Sequence, residues 1–525
     1  MRMVDDKEWF RLKAEKVALE VRLRAVERKR DEYAESVSFR LGLLINRALL
    51  RPGWHTLRLP YDVVRLLRGT LPVADEGDPV VDECPFAALQ KTDFSLASTM
   101  IVKNGEQRPL TIACILDSLS AESFSYEANL LLPTPGEAWK DAFAQHTPDM
   151  FLVESFWRGN NSTWGRCDAA NANFKCLLDI LDYCIEYDIP TVFWNKEDPV
   201  SFELFAPIAQ CFDYVFTSDA DSIKKYLEEY GLSVETLQFA AAPAVHNPLP
   251  KEERIDKAVF AGTYFSKYPQ RCKDFDYICS CLEEANIDYD IYDRHANTPI
   301  EFRELTMYPK KYRSKILGSL PPSDMWRVNK GYKYQINVNS VQNSPTMFAR
   351  RVYEALASGS LLLSNYSLGV TRLFGDIVFV LSEDTERINH LQEVAADEKL
   401  YHDTVIRGVR TVFDNHTYAH RLQQICDTVG IQAEMVYTPV KACVEVKGEE
   451  EFKALCELVR RQKYPNAEIA ALGVVGFNGD EVICGDQRRV IVVQDIDDSY
   501  TKLSFAQLTD DYCFSDIAYG LSYWK

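Results

Sequence analysis

Residues 344–365 read SPTMFARRVYEALASGSLLLSN. The segment MFARRVYEALASG has helical periodicity, reaches Gly359, and runs at once into the apolar stretch SLLLSN. A glycine just past the last turn supplies the left-handed residue that closes a helix. A short apolar run bounded by Ser and Asn reads as a buried strand. Helix, glycine and buried strand in succession form the unit from which parallel sheets with helices on both faces are built. Arg350, Arg351 and Glu354 sit within about one turn of each other, near the helix entry. An acidic side chain at such a junction can accept hydrogen bonds from ribose hydroxyls. Arginine beside it can clamp a diphosphate. The competing interpretation is an Arg–Glu pair on a surface helix.

The same pattern extends in both directions. Upstream, KAVFAGTYF (257–265) reads as a strand ending in Gly262, followed by the helix PQRCKDFDYICSCLEEANI and the strand YDIYDR. GYKYQINVNS is a further strand, as is DIVFVLS, and helices between about 384 and 430 close the unit. An earlier series starts near residue 108, with strands LTIACIL, PDMFLVES, IPTVFWN and FDYVFTS and the helix NFKCLLDILDYCIEY. Polar residues follow these strands: Asp117, Glu154, then Asn195 to Asp198, then Ser218 and Asp219. Ligands of open α/β sheets bind beyond the carboxyl ends of the strands, so these positions are candidates for chemistry. Two such units joined near residue 250 leave a cleft between them, which is the default ligand site.

The flanks differ in character. Residues 5–35 read as one highly charged helix with Leu12, Leu19, Val26 and Tyr33 at heptad spacing, a short coiled-coil seam that fits a homodimer. Residues 36–70 mix aliphatic side chains with Arg40, Arg47, Arg51, Arg58, Arg65 and Arg68. A basic amphipathic stretch of this kind fits an anionic membrane surface, and equally helices packed on the body with arginine in water. ADEGDPVVDE reads as a linker. The chain therefore divides into a helix (1–35), basic helices and linker (36–105), a first Rossmann-like unit (106–250), a second (251–435) and a small α/β unit (436–525). A net charge of −19 argues against general nucleic-acid binding. The 14 cysteines are scattered with no paired CxxC, which points to buried thiols in a cytoplasmic protein rather than zinc ribbons. The missing apolar run of spanning length and the charged first segment agree with a cytoplasmic location, peripheral to a membrane at most. A dinucleotide oxidoreductase is disfavoured, because no GxGxxG follows a first strand.

Several strings resemble, in the same order, the CgeB-like spore-protein group of GT-B glycosyltransferases. They are TVFWNKEDP (191–199), FDYVFTSD (212–219), AAPAVHNP (241–248), FAGTYFSKYPQRC (260–272), IYDR (291–294), GYKYQINVNSV (331–341) and SPTMFARRVYEALASG (344–359). The resemblance covers roughly residues 107–430. It implies a GT-B fold, two Rossmann-like domains facing a cleft, and a hexosyltransferase-type enzyme. Such an enzyme moves a sugar from a nucleotide-diphosphate sugar to a cell-surface glycan, lipid-linked or protein acceptor, with no metal cofactor. On that resemblance Glu354 binds the donor ribose, and Arg350, Arg351 and Asn339 lie near the donor. Gly262, Thr263 and Tyr264 face the diphosphate, with Lys267 or Arg271 supplying charge. Retaining members often carry two glutamates separated by seven residues; here the earlier position is Thr346. An inverting enzyme needs a general base on the acceptor side, and Asp117, Glu154, Glu197, Asp198 and His246 are all candidates. The alternative is an inactive scaffold of the same fold that dimerises and recruits a partner transferase.

The tail resembles a truncated GT-A (family 2) glycosyltransferase. RRQKYPNAEI looks like its first helix-to-strand unit, and LTDDYCFSDIAYGLSYW, with Asp510 and Asp511, like its acidic metal segment. Asp495, Asp497 and Asp498 could mimic a metal site, though a solvated acidic loop is the plainer interpretation.

Overall fold

The computed structural model describes residues 16, 17, 19, 101–102, 110–167, 173–248, 253–299, 303, 305–321, 324–381, 385–433, 440–463, 465–472, 481–485, 487–493, 501–503, 505–508, 512 and 515. Most of the 5–35 helix, the whole 36–70 basic stretch, the linker, and Asp495, Asp497, Asp498, Asp510 and Asp511 lie outside the described residues. Of the first segment, Val17 is buried in the core of the first unit and Leu19 is exposed.

Seven strands build the first sheet: β1 (Ile101–Val102), β2 (Thr111–Ile115), β3 (Asn129–Leu131), β4 (Met150–Glu154), β5 (Thr191–Asn195), β6 (Tyr214–Thr217) and β7 (Glu235–Thr236). They lie in the order β1-β3-β2-β4-β5-β6-β7. All pair in parallel except β1, which runs antiparallel to β3 at the edge. Every residue of β4 and β5 is buried, as expected of strands covered on both faces. One face packs against the helix Phe174–Glu186, which turns Phe174, Leu177, Ile180, Leu181 and Cys184 inward at helical spacing.

The second sheet contains β8 (Ile255–Gly262), β9 (Tyr289–Asp293), β10 (Ile316–Gly318), β11 (Tyr332–Asn337), β12 (Leu361–Ser364) and β13 (Phe379–Val380). Its order is β10-β9-β8-β11-β12-β13, all parallel. This is the Rossmann strand order, with its topological switch point between β8 and β11. In the first sheet the corresponding reversal falls between β2 and β4. The α/β class and the pair of Rossmann-like units agree with the sequence expectation.

Two differences concern helices. The helix read from Met347 begins only at Arg351 and runs to Ala357. The residues before it are held out of the helix by the first unit. The Ser344 hydroxyl bonds Asp219, and Thr346 Oγ1 accepts the Ala220 N–H at 2.8 Å and donates to the Ser218 carbonyl at 3.0 Å. Gly359 then closes the helix at φ 78°, as the sequence suggests. The second difference is the helix Tyr418–Val429. It belongs by sequence to the second unit but buries Tyr418, Leu422, Ile425 and Cys426 with Ile112 and Trp194 on the far face of the first sheet. The chain thus crosses between units twice, and the crossings touch. The Ala241 N–H donates to His416 O at 2.9 Å and the Tyr418 N–H to Ala241 O at 3.0 Å.

A third sheet, with its own core, holds β14 (Val440–Glu445), β15 (Asn466–Leu472), β16 (Glu481–Gly485), β17 (Gln487–Val493) and β18 (Thr501–Leu503) in the order β16-β17-β15-β14-β18. The helix Glu449–Arg461 joins β14 to β15, so the β-α-β start was legible; the antiparallel β16–β17 pair was not. The described cysteines are free thiols, buried except for half-buried Cys176. Among the described residues no helix is long and apolar enough to cross a membrane.

Candidate functional site

Two clusters of charged residues occupy the two switch points. In the second unit, Glu354 stands in the first turn of the Arg351–Ala357 helix, with Arg350 as its N-cap. Arg350 Nε lies 3.2 Å from Glu354 Oε1. Burial alone would raise the Glu354 carboxyl; Arg350, His246 and Arg351 outweigh it and hold the group below its ordinary range. His246 comes from the crossing segment. Its Nδ1 accepts the Ala242 N–H at 3.2 Å, which leaves Nε2 to carry the proton of the neutral ring. Burial pushes the His246 pKa down; Glu354 opposes this, and Arg350 and Lys330 add to it.

Arg351 turns inward. Its guanidinium donates to the carbonyls of Ala261 and Ile336, the penultimate residues of β8 and β11, and lies 5.4 Å from the Phe260 ring centre. It ties the two switch-point strands together beneath the crevice. Burial brings its pKa down to about 10. Arg271 donates to the Thr263 carbonyl at 2.7 Å; its charge and that of exposed Arg294 both act on Arg351. Positive charge therefore gathers around the Gly262–Thr263 turn. Gly262 is required by close approach: an added Cβ would sit 2.7 Å from the Phe260 ring.

Three other donor candidates are engaged elsewhere. Asn339 is buried, its amide bonded to Ser364 and Asn365 and its oxygen to the Ala349 N–H. Tyr264 packs among Phe275, Tyr308 and Tyr312 and reaches Asp276. Lys267 is exposed over the Tyr268 ring.

In the first unit, Asp117, Glu154 and Glu197 meet around Lys196. Lys196 Nζ lies 2.7 Å from Glu154 Oε1 and 3.1 Å from Asp117 Oδ2. Asp117 also accepts the backbone N–H groups of Trp157, Arg158 and Gly159. Burial works to raise its pKa, but Lys196 and these three amides bring it below the ordinary value. Burial raises Glu197 despite Lys196 and the Trp157 indole N–H beside it.

Asp198 does not join them. It is 0% exposed beneath the sheet ends, where it accepts from Asn195 at 2.7 Å, Thr217 at 2.6 Å and Tyr226 at 3.0 Å. A carboxylate so enclosed has no path to an acceptor. Burial pushes its pKa up to about 7, against the hydrogen bonds from Thr217 and Tyr226. Tyr418 links the two clusters: burial lifts its phenol to about 12, and it feels Arg350 and Glu354 from one unit and Glu154 and Lys196 from the other.

Residues 282–427 match the family model described as Glycosyl transferase-like. The glycosyl transferase-like segment contains the Arg350–Glu354 helix, β11 and β12, and spans less than a third of the chain. Comparison with curated proteins returned no match. Among solved structures, an alpha-glucosyltransferase in complex with UDP is 11% identical, with a TM-score of 0.42, over 62% of this chain and 100% of that one. A glycosyltransferase from Rickettsia africae ESF-5 is 11% identical, with a TM-score of 0.40, over 61% and 97%. Sucrose-phosphate synthase from Thermosynechococcus elongatus is 10% identical, with a TM-score of 0.34, over 60% and 84%. Likenesses this distant carry no weight for activity.

Sequence reasoning passed over Lys196 as a bridge, Arg294 and Trp157. A signal for the last was present: Trp157-Arg158-Gly159 follows β4 within three residues, where a parallel strand delivers its loop to the ligand side.

Proposed function

We propose that the chain is a glycosyltransferase that takes a sugar from a nucleoside-diphosphate donor held at the β8/β11 switch point. The observation that carries this reading is the ionised Glu354, paired with Arg350 and beside His246, at the mouth of a Rossmann crevice whose floor is crossed by Arg351. Glu354 is a suitable acceptor for ribose hydroxyls. The arginines around Gly262–Thr263 suit a diphosphate leaving group, whose developing charge is the main thing such a site must stabilise. In the reaction an acceptor oxygen displaces the nucleoside diphosphate at the anomeric carbon, and its proton passes to a base. Glu197, only part-buried, is the carboxylate on the acceptor side whose geometry leaves it eligible; Glu154, like Asp198, is fully enclosed. The hexosyl specificity, the CgeB-like subtype, a cytoplasmic location with peripheral membrane contact, and a GT-A-like ancestry of the tail belong to the same reading.

Thr346 motivates a second reading. Its hydroxyl is engaged between the units where the resembling retaining enzymes carry a glutamate, which suits a scaffold that recruits a partner transferase. A thermal-shift titration of the full chain with UDP, GDP, ADP and dTDP and their sugars separates the two. The transferase reading expects one nucleotide to raise the midpoint, since a ligand of the folded state alone must stabilise it. Glu354→Ala then loses about 1–3 kcal/mol of binding. A folded protein that no nucleotide shifts would favour the scaffold.

A further inference from the structure

The switch point of the first sheet carries a second built surface. The residues after β4 wrap the Asp117 carboxylate, with the N–H groups of Trp157, Arg158 and Gly159 donating at 3.2, 3.1 and 3.2 Å. Gly159 sits at φ 53°, and a Cβ there would lie 2.8 Å from the Phe156 ring and 2.9 Å from the Trp164 side chain. The turn therefore has one geometry, and it delivers Trp157 to the surface with 43% of the residue exposed. Phe205 supports the indole edge-on at 5.4 Å, and the indole N–H faces Glu197. Beside this ring Glu154 is 0% exposed. Its Oε1 takes the Lys196 ammonium and, at 2.6 Å, the Asp117 N–H, while its Oε2 has no hydrogen-bond partner among the described residues. Glu154 therefore anchors Lys196 and the start of the Asp117 turn from beneath, and leaves Glu197 as the part-buried carboxylate next to the indole.

A fixed aromatic face beside carboxylate acceptors and an ammonium donor has the polarity of a pyranose ring. The sugar's C–H face covers the indole and its hydroxyls reach the carboxylates, the usual division of labour in a polar-ligand site. A lipid chain would make no use of the carboxylates. A nucleic acid would meet Asp117, Glu154 and Glu197 with its own negative charge.

We propose that Trp157, Glu197 and Lys196 form a saccharide subsite, with Glu154 holding Lys196 from beneath, and that the acceptor is itself a sugar. Its role as acceptor rests on the transferase reading; saccharide binding at Trp157 does not. Asp117 is the positioning residue that holds the turn.

The test is saturation-transfer NMR on the full chain with neutral trisaccharides of glucose, galactose and N-acetylglucosamine, a short DNA duplex, and vesicles containing phosphatidylserine. At least one trisaccharide binds. Trp157→Ala weakens it by roughly tenfold or more, while Trp157→Phe stays within about threefold. Nucleotide-induced midpoint shifts are the same in all three proteins. The subsite is overturned if no trisaccharide binds the folded wild type, if Trp157→Ala binds as well as wild type, or if only duplex or vesicle binding depends on Trp157. Trp157-dependent sugar binding without any nucleotide binding keeps the subsite and removes the transferase reading. Nucleotide binding without sugar binding does the reverse.

Discussion

Thr346 offers the most direct test of how the two units are held together. Its hydroxyl accepts the Ala220 N–H at 2.8 Å and donates to the Ser218 carbonyl at 3.0 Å. Valine has nearly the same shape and neither capacity. The substitution removes two hydrogen bonds, each worth about 0.5–1.5 kcal/mol net, and strands one donor in a half-buried contact. The expected weakening is about 2 kcal/mol, which corresponds to roughly 30-fold more frequent opening of the contact. Hydrogen exchange reads this locally: the Ala220 amide is protected through Thr346, so a peptide covering residues 218–223 should gain one fast-exchanging site in Thr346→Val. Thr346→Ser keeps the hydroxyl and should stay close to wild type. Because Ser344 and Gln238 also bridge this contact, Ser344 to Asp219 and Gln238 Nε2 to Thr346 O at 3.1 Å, the units should not separate. Unchanged exchange at Ala220 in the valine variant would refute the clasp.

Asp198 predicts a pH effect with a definite sign. Its pKa in the folded chain is raised from 3.8 to about 7, so the native state holds a proton that the unfolded chain releases. Its stabilising contribution is complete at low pH and is lost as pH rises between about 4 and 7. Asp198→Asn should flatten that part of a plot of denaturation midpoint against pH; an unaltered slope would show that another group carries it. At Gly262, an added methyl group must displace the Phe260 ring on which Arg351 rests. Gly262→Ala should cost about 1–3 kcal/mol, typical of overpacking, in a urea titration. A neutral result would mean that the ring yields freely.

The alternation of strands and helices was readable because the central strands are short, continuous apolar runs such as TIACI, MFLVE and TVFWN, as strands covered on both faces are, and because longer helical stretches separate them. β1 and β7, of two residues each, and β3 and β10, of three, carry too few side chains to stand out from loops. The helix start at Arg351 was hidden for another reason: the side chains that stop it, Ser344 and Thr346, find their partners some 125 residues away. At the site, the Arg350–Glu354 pair was legible from its spacing of four. Nothing local distinguished Arg350, which faces the crevice, from Arg351, which ends on two strand carbonyls. Asp198 illustrates the same limit. A carboxylate after a strand reads alike whether it meets ligand or folds under the sheet, and the burial that decides it is contributed by Thr217 and Tyr226 from other elements.

The paired crossings at Ala241 and Thr417 have a mechanical consequence. Two covalent connections pinned side by side act as a hinge pin: they permit one half to swing against the other and resist sliding or pulling apart. A single nick in either connection would leave the halves tethered by the other. The Tyr418–Val429 helix, the chain's return trip, would keep the nicked molecule in one piece in solution.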